Sequence, residues 1–330
     1  MRPANTARVA ARRPAEEVST GQFAADVAAY LVRTPRQLPS RYLYDPLGSA
    51  LFEAICRLPW YRVTRAESGL LHTHAAAILE AAAPLTDIVE LGPGSGGKLA
   101  CLLRARSPEA PMLRVHLVDV SRAALAGAAG LLAGFPNVQI VTHQAPYEVG
   151  LEEVGREHSG GGRTLALFLG SNIGNFDPPR SARLLHDIRA ALRPGDGLLL
   201  GTDLVKPEAD LLLAYDDPLQ VTAAFNRNLL VRINRELGGD IDLGGFRHRA
   251  AWNAAASRVE MHLVSTRLQR VRVPGAGLEF TMQDGESIWT ESSYKYTLDG
   301  VSAMLEGTGL ARRAAWIDDA AQFALTLAAR

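Results

Sequence analysis

The feature that most constrains the fold is a rhythm of strands and helices between residues 86 and 203. T-D-I-V-E-L (86–91), R-V-H-L-V-D-V (114–120), V-Q-I-V-T (138–142), T-L-A-L-F-L-G (164–170) and G-L-L-L-G-T-D (197–203) are short apolar runs. Segments of helical periodicity lie between them. One starts near 97, one follows Ser121 as its cap, and one covers 180–192 and ends at Pro194-Gly195. Strands alternating with helices predict a parallel sheet covered on both faces. A helix over 298–308 follows later, then A-A-W-I and F-A-L-T-L joined by D-D-A-A-Q, which read as a strand pair.

Outside that rhythm the pattern differs. Residues 21–33 read as a helix stopped by Pro35, a short amphipathic segment surrounds Phe52, and 65–83 form an Ala-rich helix ending at Pro84. Residues 219–237 predict one long helix. Residues 258–273 alternate and 278–296 are strand-like, which suggests antiparallel pairing. A sheet interrupted in this way predicts an α/β chain of two lobes with a cleft between them. The Rossmann-like lobe would be 65–205 plus 295–330. A smaller α+β lobe would be 14–64 plus 206–294, behind a disordered tail at 1–13.

Composition narrows the function. Lys+Arg and Asp+Glu number 35 each, so the basic excess of a nucleic-acid binder is missing. No run of 18 apolar residues predicts a membrane span, and the Arg-rich start lacks the apolar stretch of a secretory signal. Cys56 and Cys101 cannot build a disulfide framework or a Cys-rich zinc site, so a reducing, cytoplasmic location is expected. No metal is expected either. The eight histidines are scattered, and His72 and His74 stand two apart on a helix, on different faces. A monomer acting on small molecules is the expectation.

E-L-G-P-G-S-G-G-K (90–98) stands between a strand and a helix, where backbone N–H groups can meet a ligand. Gly92, Gly94 and Gly97 satisfy the dinucleotide pattern G-x-G-x-x-G. Glu90 through Gly96, with Gly92 and Gly94, also reads E-x-G-x-G-x-G, which resembles motif I of class I S-adenosylmethionine methyltransferases. Asp119 ends the second strand, where a carboxylate can accept ribose hydroxyls in either class. The C-terminal strand pair favours the methyltransferase, because it looks like the hairpin that closes that family's sheet.

Several further motifs occur in order: Y-D-P-L-G-S, L-P-W-Y-R-V-T-R-A-E, L-G-S-N-I-G-N-F, A-Y-D-D, T-A-A-F-N-R-N, I-N-R-E-L, R-V-E-M-H-L and W-T-E-S-S-Y-K-Y. Together they resemble the ergothioneine-pathway histidine Nα-methyltransferases, from about residue 35 to the C-terminus. The resemblance implies three methylations of the α-amine of free L-histidine, giving hercynine. It implies that Asn175 and Tyr215 hold the substrate carboxylate. Tyr44 would contact the amine as the catalytic residue. Gly170 and Phe52 would line the pocket, Glu291 and Ser293 would read the imidazole, and Tyr61 and Met261 would border the ring. Glu291 and Ser293 are two apart in a strand and so share a face. Met261 equally suits plain core packing beside Val259 and Leu263.

For the methyl donor the resemblance implies Gly92, Lys98 and Asp119. Where the family commonly has Asp-Phe after the third strand, this chain has Gln144-Ala145. Gln144 can still bond adenine, Ala145 can offer its N–H, and Tyr147 is a candidate aromatic contact. Arg62-Val63 replaces the family's commoner Tyr-Pro beside Tyr61. Another aromatic amino acid as acceptor, a nicotinamide-dependent oxidoreductase and a donor-sensing protein stay open as alternatives.

Overall fold

The computed structural model describes residues 10–11, 20–157 and 161–330. In chain order these form β1 (Ala10–Ala11), α1 (Thr20–Leu31), β2 (Arg36–Gln37), α2 (Pro46–Ile55), α3 (Val63–Ala81), β3 (Leu85–Leu91), α4 (Gly97–Arg104), β4 (Leu113–Asp119), α5 (Arg122–Leu132), β5 (Val138–Gln144), α6 (Tyr147–Glu157) and β6 (Arg163–Phe168). There follow α7 (Pro178–Ala191), β7 (Gly197–Asp203), α8 (Glu208–Tyr215), α9 (Val221–Leu237), β8 (Phe246–Asn253), β9 (Arg258–Ser265), β10 (Gln269–Val273), β11 (Leu278–Met282), β12 (Ser287–Tyr294), α10 (Leu298–Gly307), β13 (Ala311–Asp318) and β14 (Phe323–Ala329). The chain divides into two compact units. Among the described residues, the first comprises 10–11, 63–157, 161–204 and 296–330, and the second 20–62 and 205–295.

The first unit is built on a sheet of order β1-β5-β4-β3-β6-β7-β14-β13. Strands β3 to β7 are parallel, and β14 runs antiparallel to both β7 and β13. The central strands are mainly apolar because both faces are covered; every residue of β7 is buried. Val89, Phe168, Leu185, Leu198 and Leu305 belong to one contiguous core. The C-terminal hairpin that the sequence suggested closes this sheet. The fourth expected strand ends at Phe168, two residues early, because Gly170 takes a φ of +79° and turns the chain. The expected disordered tail, 1–13, lies outside the described residues except at Ala10–Ala11. There the expectation is corrected, since the pair adds a parallel strand beside β5.

The second unit carries a sheet of order β2-β12-β9-β8 and a separate ribbon of β10 and β11. The alternating run 258–273 is two strands in different sheets, and 278–296 likewise divides into β11 and β12. Strand β8 was not expected. Its F-R-H-R-A-A-W-N alternates weakly, and pairing with β9 along its whole length supplies what the pattern lacks.

Local chemistry explains the ordered motifs. In Y-D-P-L-G-S, Asp45 caps α2 by accepting from Gly48 N at 2.8 Å, and Pro46 occupies the first helical turn. Gly48 must be glycine, because a β-carbon there would stand 1.7 Å from the carbonyl oxygen of Leu43. Asp45 also accepts from Asn228 at 2.6 Å and from Arg235 at 2.7 Å, which ties the start of α2 to α9. In A-Y-D-D, Asp217 accepts from the backbone N–H groups of Val221 and Thr222 and so caps α9.

Candidate active site

In the first unit, the glycine loop joins β3 to α4. Gly92, Gly94 and Gly96 have φ of +69°, +53° and +76°, which only glycine adopts without strain. A β-carbon on Gly92 would lie 2.7 Å from Tyr147 Oη and 3.3 Å from Asn172 Nδ2. On Gly96 it would lie 3.0 Å from Ala128 Cα. The missing side chains let a ligand approach the backbone closely, although the N–H groups of Gly92 and Gly96 already donate to the carbonyls of Val118 and Pro93 at 2.9 Å. Asp119 stands at the end of the adjacent strand. Its carboxylate accepts from Ser121 N at 2.8 Å, and burial pushes its pKa up against the pull of the N–H groups of Ser121 and Val120.

Beneath the loop is a cluster of buried charge. Lys98 Nζ lies 2.6 Å from Glu67 Oε2, and Glu67 Oε1 accepts from Gly170 N at 2.7 Å. Glu67 is wholly buried. Gly201 makes the space, since a β-carbon there would stand 2.1 Å from Glu67 Oε1. Glu90 is buried near the end of β3, the strand that leads into the loop. Burial raises its pKa to about 8, with Lys98 pulling it down and Glu67 pushing it further up. One carboxylate, Glu67, thus joins the lysine after the glycine loop to the loop that follows β6. Sequence reading passed over Glu67, and its one signal was an acid on the buried side of an apolar helix.

The adenine-side expectations need one correction. Ala145 N donates to the Asp119 carbonyl at 3.1 Å, so this N–H is committed to the strand end rather than offered to a base. Gln144 is half-buried beside it. Tyr147 packs edge-on against Phe168, with centroids 5.6 Å apart, and its hydroxyl points at Gly92. Asn175 is exposed at the end of a 3-10 turn, Asn172–Asn175. It is Asn172, missed in the sequence, whose carboxamide stands against Gly92 and Gly170.

In the second unit, aromatic side chains gather around β12. Tyr44 lies 5.5 Å from both Phe52 and Phe225, Phe52 6.2 Å from Tyr61, and Tyr61 6.2 Å from Tyr215, centroid to centroid. Strand β12 has a bulge between Trp289 and Glu291 in its pairing with β9. The bulge switches the buried side from Ile288 and Thr290 to Glu291 and Ser293. Without it, period-2 alternation would turn the latter two away. Met261 is buried opposite Glu291 in register.

Glu291 is buried, which raises its pKa to about 7, against Lys295 and a hydrogen bond from Tyr44 that both pull it down. Tyr215 Oη donates to Ser293 Oγ at 2.8 Å. Lys295 Nζ donates to Tyr215 Oη at 2.8 Å and to Ser293 Oγ at 2.9 Å. His248 Nε2 lies 2.8 Å from the Tyr215 carbonyl and Asn226 lies 2.9 Å from His248 Nδ1, so α9 and β8 fix the end of α8. The structure therefore brings Tyr44, Phe52, Tyr61, Tyr215, Met261, Glu291 and Ser293 into one unit; Gly170 and Asn175 belong to the other. Phe225 and Lys295 join the cluster unforeseen. Lys295 was legible as the next alternate residue after Glu291 and Ser293.

A parallel sheet closed by a reversed C-terminal hairpin, with a glycine loop after its first long strand and an acid after its second, defines a class I methyltransferase. The sequence model of the histidine-specific, S-adenosylmethionine-dependent methyltransferases matches residues 23–330, and the chain belongs to that family. It is 43% identical over 306 residues to the histidine N-alpha-methyltransferase of Mycobacterium tuberculosis (strain CDC 1551 / Oshkosh), covering 92% of this chain and 94% of that protein. It is 42% identical over the same lengths to the enzyme of that name from Mycolicibacterium smegmatis. Ergothioneine biosynthesis protein 1 of Neurospora crassa is 27% identical over 78% of this chain and 31% of that longer protein. No helix among the described residues is long and apolar enough to cross a membrane.

Proposed function

We propose that this enzyme methylates the α-amino group of free L-histidine three times, yielding the betaine hercynine. The observation that carries the reading is the pairing of a buried carboxylate, Glu291, with a buried hydroxyl, Ser293, on one strand face beside a ring of aromatic side chains. A carboxylate accepts a ring N–H and a hydroxyl serves a bare ring nitrogen, which together describe an imidazole. Met261 and Tyr61 supply the apolar border.

S-adenosylmethionine, when bound, supplies an activated methyl group. Gly92, Gly94 and Gly96 give it a close approach to backbone, and Lys98 offers charge to its carboxylate. Asp119 accepts from its ribose hydroxyls, and Gln144 donates and accepts at its base. In each transfer the methyl–sulfur bond breaks and a carbon–nitrogen bond forms. The acceptor nitrogen must first be neutral, so each round releases one proton, three in all. Tyr44 donates to Glu291, and a phenol so engaged presents its oxygen as an acceptor to the amine N–H. Orientation of the lone pair is the main task left to the protein. The faces of Tyr44 and Phe52 favour the quaternary ammonium that accumulates. Asn175 donates to the carboxylate of the amino acid, while the one proton of Tyr215 is engaged by Ser293.

The test is mass spectrometry of full-chain reactions supplied with S-adenosylmethionine and histidine, tyrosine or tryptophan. A gain of three methyl groups on histidine alone is expected. Preferential methylation of either other amino acid would overturn the assignment of Glu291 and Ser293 to an imidazole.

A further inference from the structure

Lys295 is buried, with 3% of its surface exposed, in a place where an aliphatic residue would ordinarily sit. Its backbone is held on both sides: its N–H donates to the Ser257 carbonyl at 2.8 Å, and Ser257 Oγ donates to its carbonyl at 2.8 Å. Its ammonium lies 4.6 Å from the centre of the Tyr215 ring. A buried ammonium needs acceptors, and this one donates to Tyr215 Oη and Ser293 Oγ.

An ammonium has only protons to give. Ser293 Oγ accepts from Lys295 and, at 2.8 Å, from Tyr215. A hydroxyl oxygen has two acceptor positions, and both are then filled. The proton of Ser293 is left to point away from Lys295 and Tyr215 as a donor. Glu291, two residues back on the same face, is the matching acceptor. We propose that Lys295 is a positioning residue for substrate selection. By occupying Ser293 and Tyr215 as acceptors, it fixes Ser293 as the donor to the bare ring nitrogen of histidine. Without Lys295 the Ser293 hydroxyl can rotate and offer a lone pair there instead, and the ring nitrogen goes unread. The proposal rests on the reading of Glu291 and Ser293 as the residues that meet the imidazole.

The experiment compares histidine with the two β-pyrrolylalanines, each of which keeps one ring N–H and replaces the other ring nitrogen by C–H. Initial rates and competition are measured on the full chain at saturating S-adenosylmethionine. The wild type should favour histidine over the better pyrrole by about tenfold or more in kcat/KM. Lys295→Met should reduce that ratio to within about threefold, through the KM for histidine, with the KM for the donor unchanged. Ser293→Ala should do the same, and the double variant should lose nothing further, because both act on one bond. Should Lys295→Met not fold by circular dichroism, Lys295→Gln and Ser293→Ala carry the test. The first keeps N–H donors and must keep the preference, and the second must lose it. A preference unchanged in Lys295→Met, or a KM that rises equally for histidine and pyrrole, would make Lys295 a packing element and overturn the proposal. A wild type that does not methylate histidine would instead overturn the functional reading, before any variant is compared.

Discussion

Replacing Glu67 by Gln changes no shape and removes one charge from the buried cluster beside the glycine loop. Glu67 has a fully buried side chain and Lys98 one that is 26% exposed. Removing one partner of a fully buried pair costs about 3–5 kcal/mol, because the other charge is stranded. Two features soften the loss here. Lys98 is partly hydrated, and Glu90, whose pKa of about 8 is raised by Glu67 and lowered by Lys98, ionises more readily once Glu67 is silent. The expected cost is therefore about 2–3 kcal/mol at pH 7. The hydrogen bond from Gly170 survives in Gln, which keeps a carbonyl oxygen. Glu67→Ala loses it as well and should cost about 1–2 kcal/mol more, before any cavity. The decisive variant is Glu67→Gln combined with Lys98→Met, which removes both charges and should recover to within about 1 kcal/mol of wild type. Urea unfolding at pH 7, followed by circular dichroism, reads wild type, Glu67→Gln, Glu67→Ala, Lys98→Met and the double variant. A Glu67→Gln variant with the wild-type midpoint, or a double variant weakened by the sum of the single costs, would refute the reasoning.

Glu90 makes stability depend on pH in the direction opposite to a salt-bridged acid. Its folded pKa of about 8 lies above that of an unfolded chain, so its contribution is fully present below the unfolded pKa of about 4.3 and is lost as pH rises towards 8. Glu90→Gln should match wild type near pH 4 and exceed it at pH 9, as read by urea midpoints across that range. Glu291→Gln should raise the KM for histidine about tenfold at pH 8, where the native carboxylate is ionised, and leave the donor's KM within about threefold in steady-state assays. Gly92→Ala meets both a φ of +69° and the Tyr147 hydroxyl at 2.7 Å, so donor affinity by calorimetry should fall at least tenfold. Tyr147→Phe should restore only part of it, since the backbone strain of about 1–3 kcal/mol persists. Asp45→Ala removes a helix cap that also holds Asn228 and Arg235, and should cost about 2–3 kcal/mol by thermal unfolding.

The sheet of the first unit was legible because its strands are apolar on both faces and its helices carry their own punctuation, such as Ser121 and Pro194-Gly195. The second unit was harder. β8 is a strand because β9 pairs with it, and no local pattern announces that. The bulge at Trp289–Glu291 leaves no mark in composition, yet it decides which side chains of β12 turn inward. The ring-reading candidates came from the resemblance; alternation shows only that Glu291 and Ser293 share a face, whatever they meet. Glu67, Asn172 and Phe225 acquire their places through contacts distant in sequence, with Lys98, Gly92 and Tyr44 respectively. The spent N–H of Ala145 belongs to the same kind of information, since a strand end bonds to whatever lies beside it.

The points where the chain leaves the first unit after Leu204 and rejoins it at Tyr296 lie side by side. Leu204 and Tyr296 form a bridge, and Tyr296 N donates to the Asp203 carbonyl at 3.1 Å. To the sheet, the entire stretch from 205 to 295 is a closed loop whose ends are already together. Closure entropy grows only with the logarithm of length, so lengthening or trimming that stretch changes little for the strands that anchor it. A chain beginning at Val63, with a short turn spliced between Leu204 and Tyr296, should leave a first unit able to fold alone. Changes within 205–295 can accumulate without disturbing the sheet of the first unit.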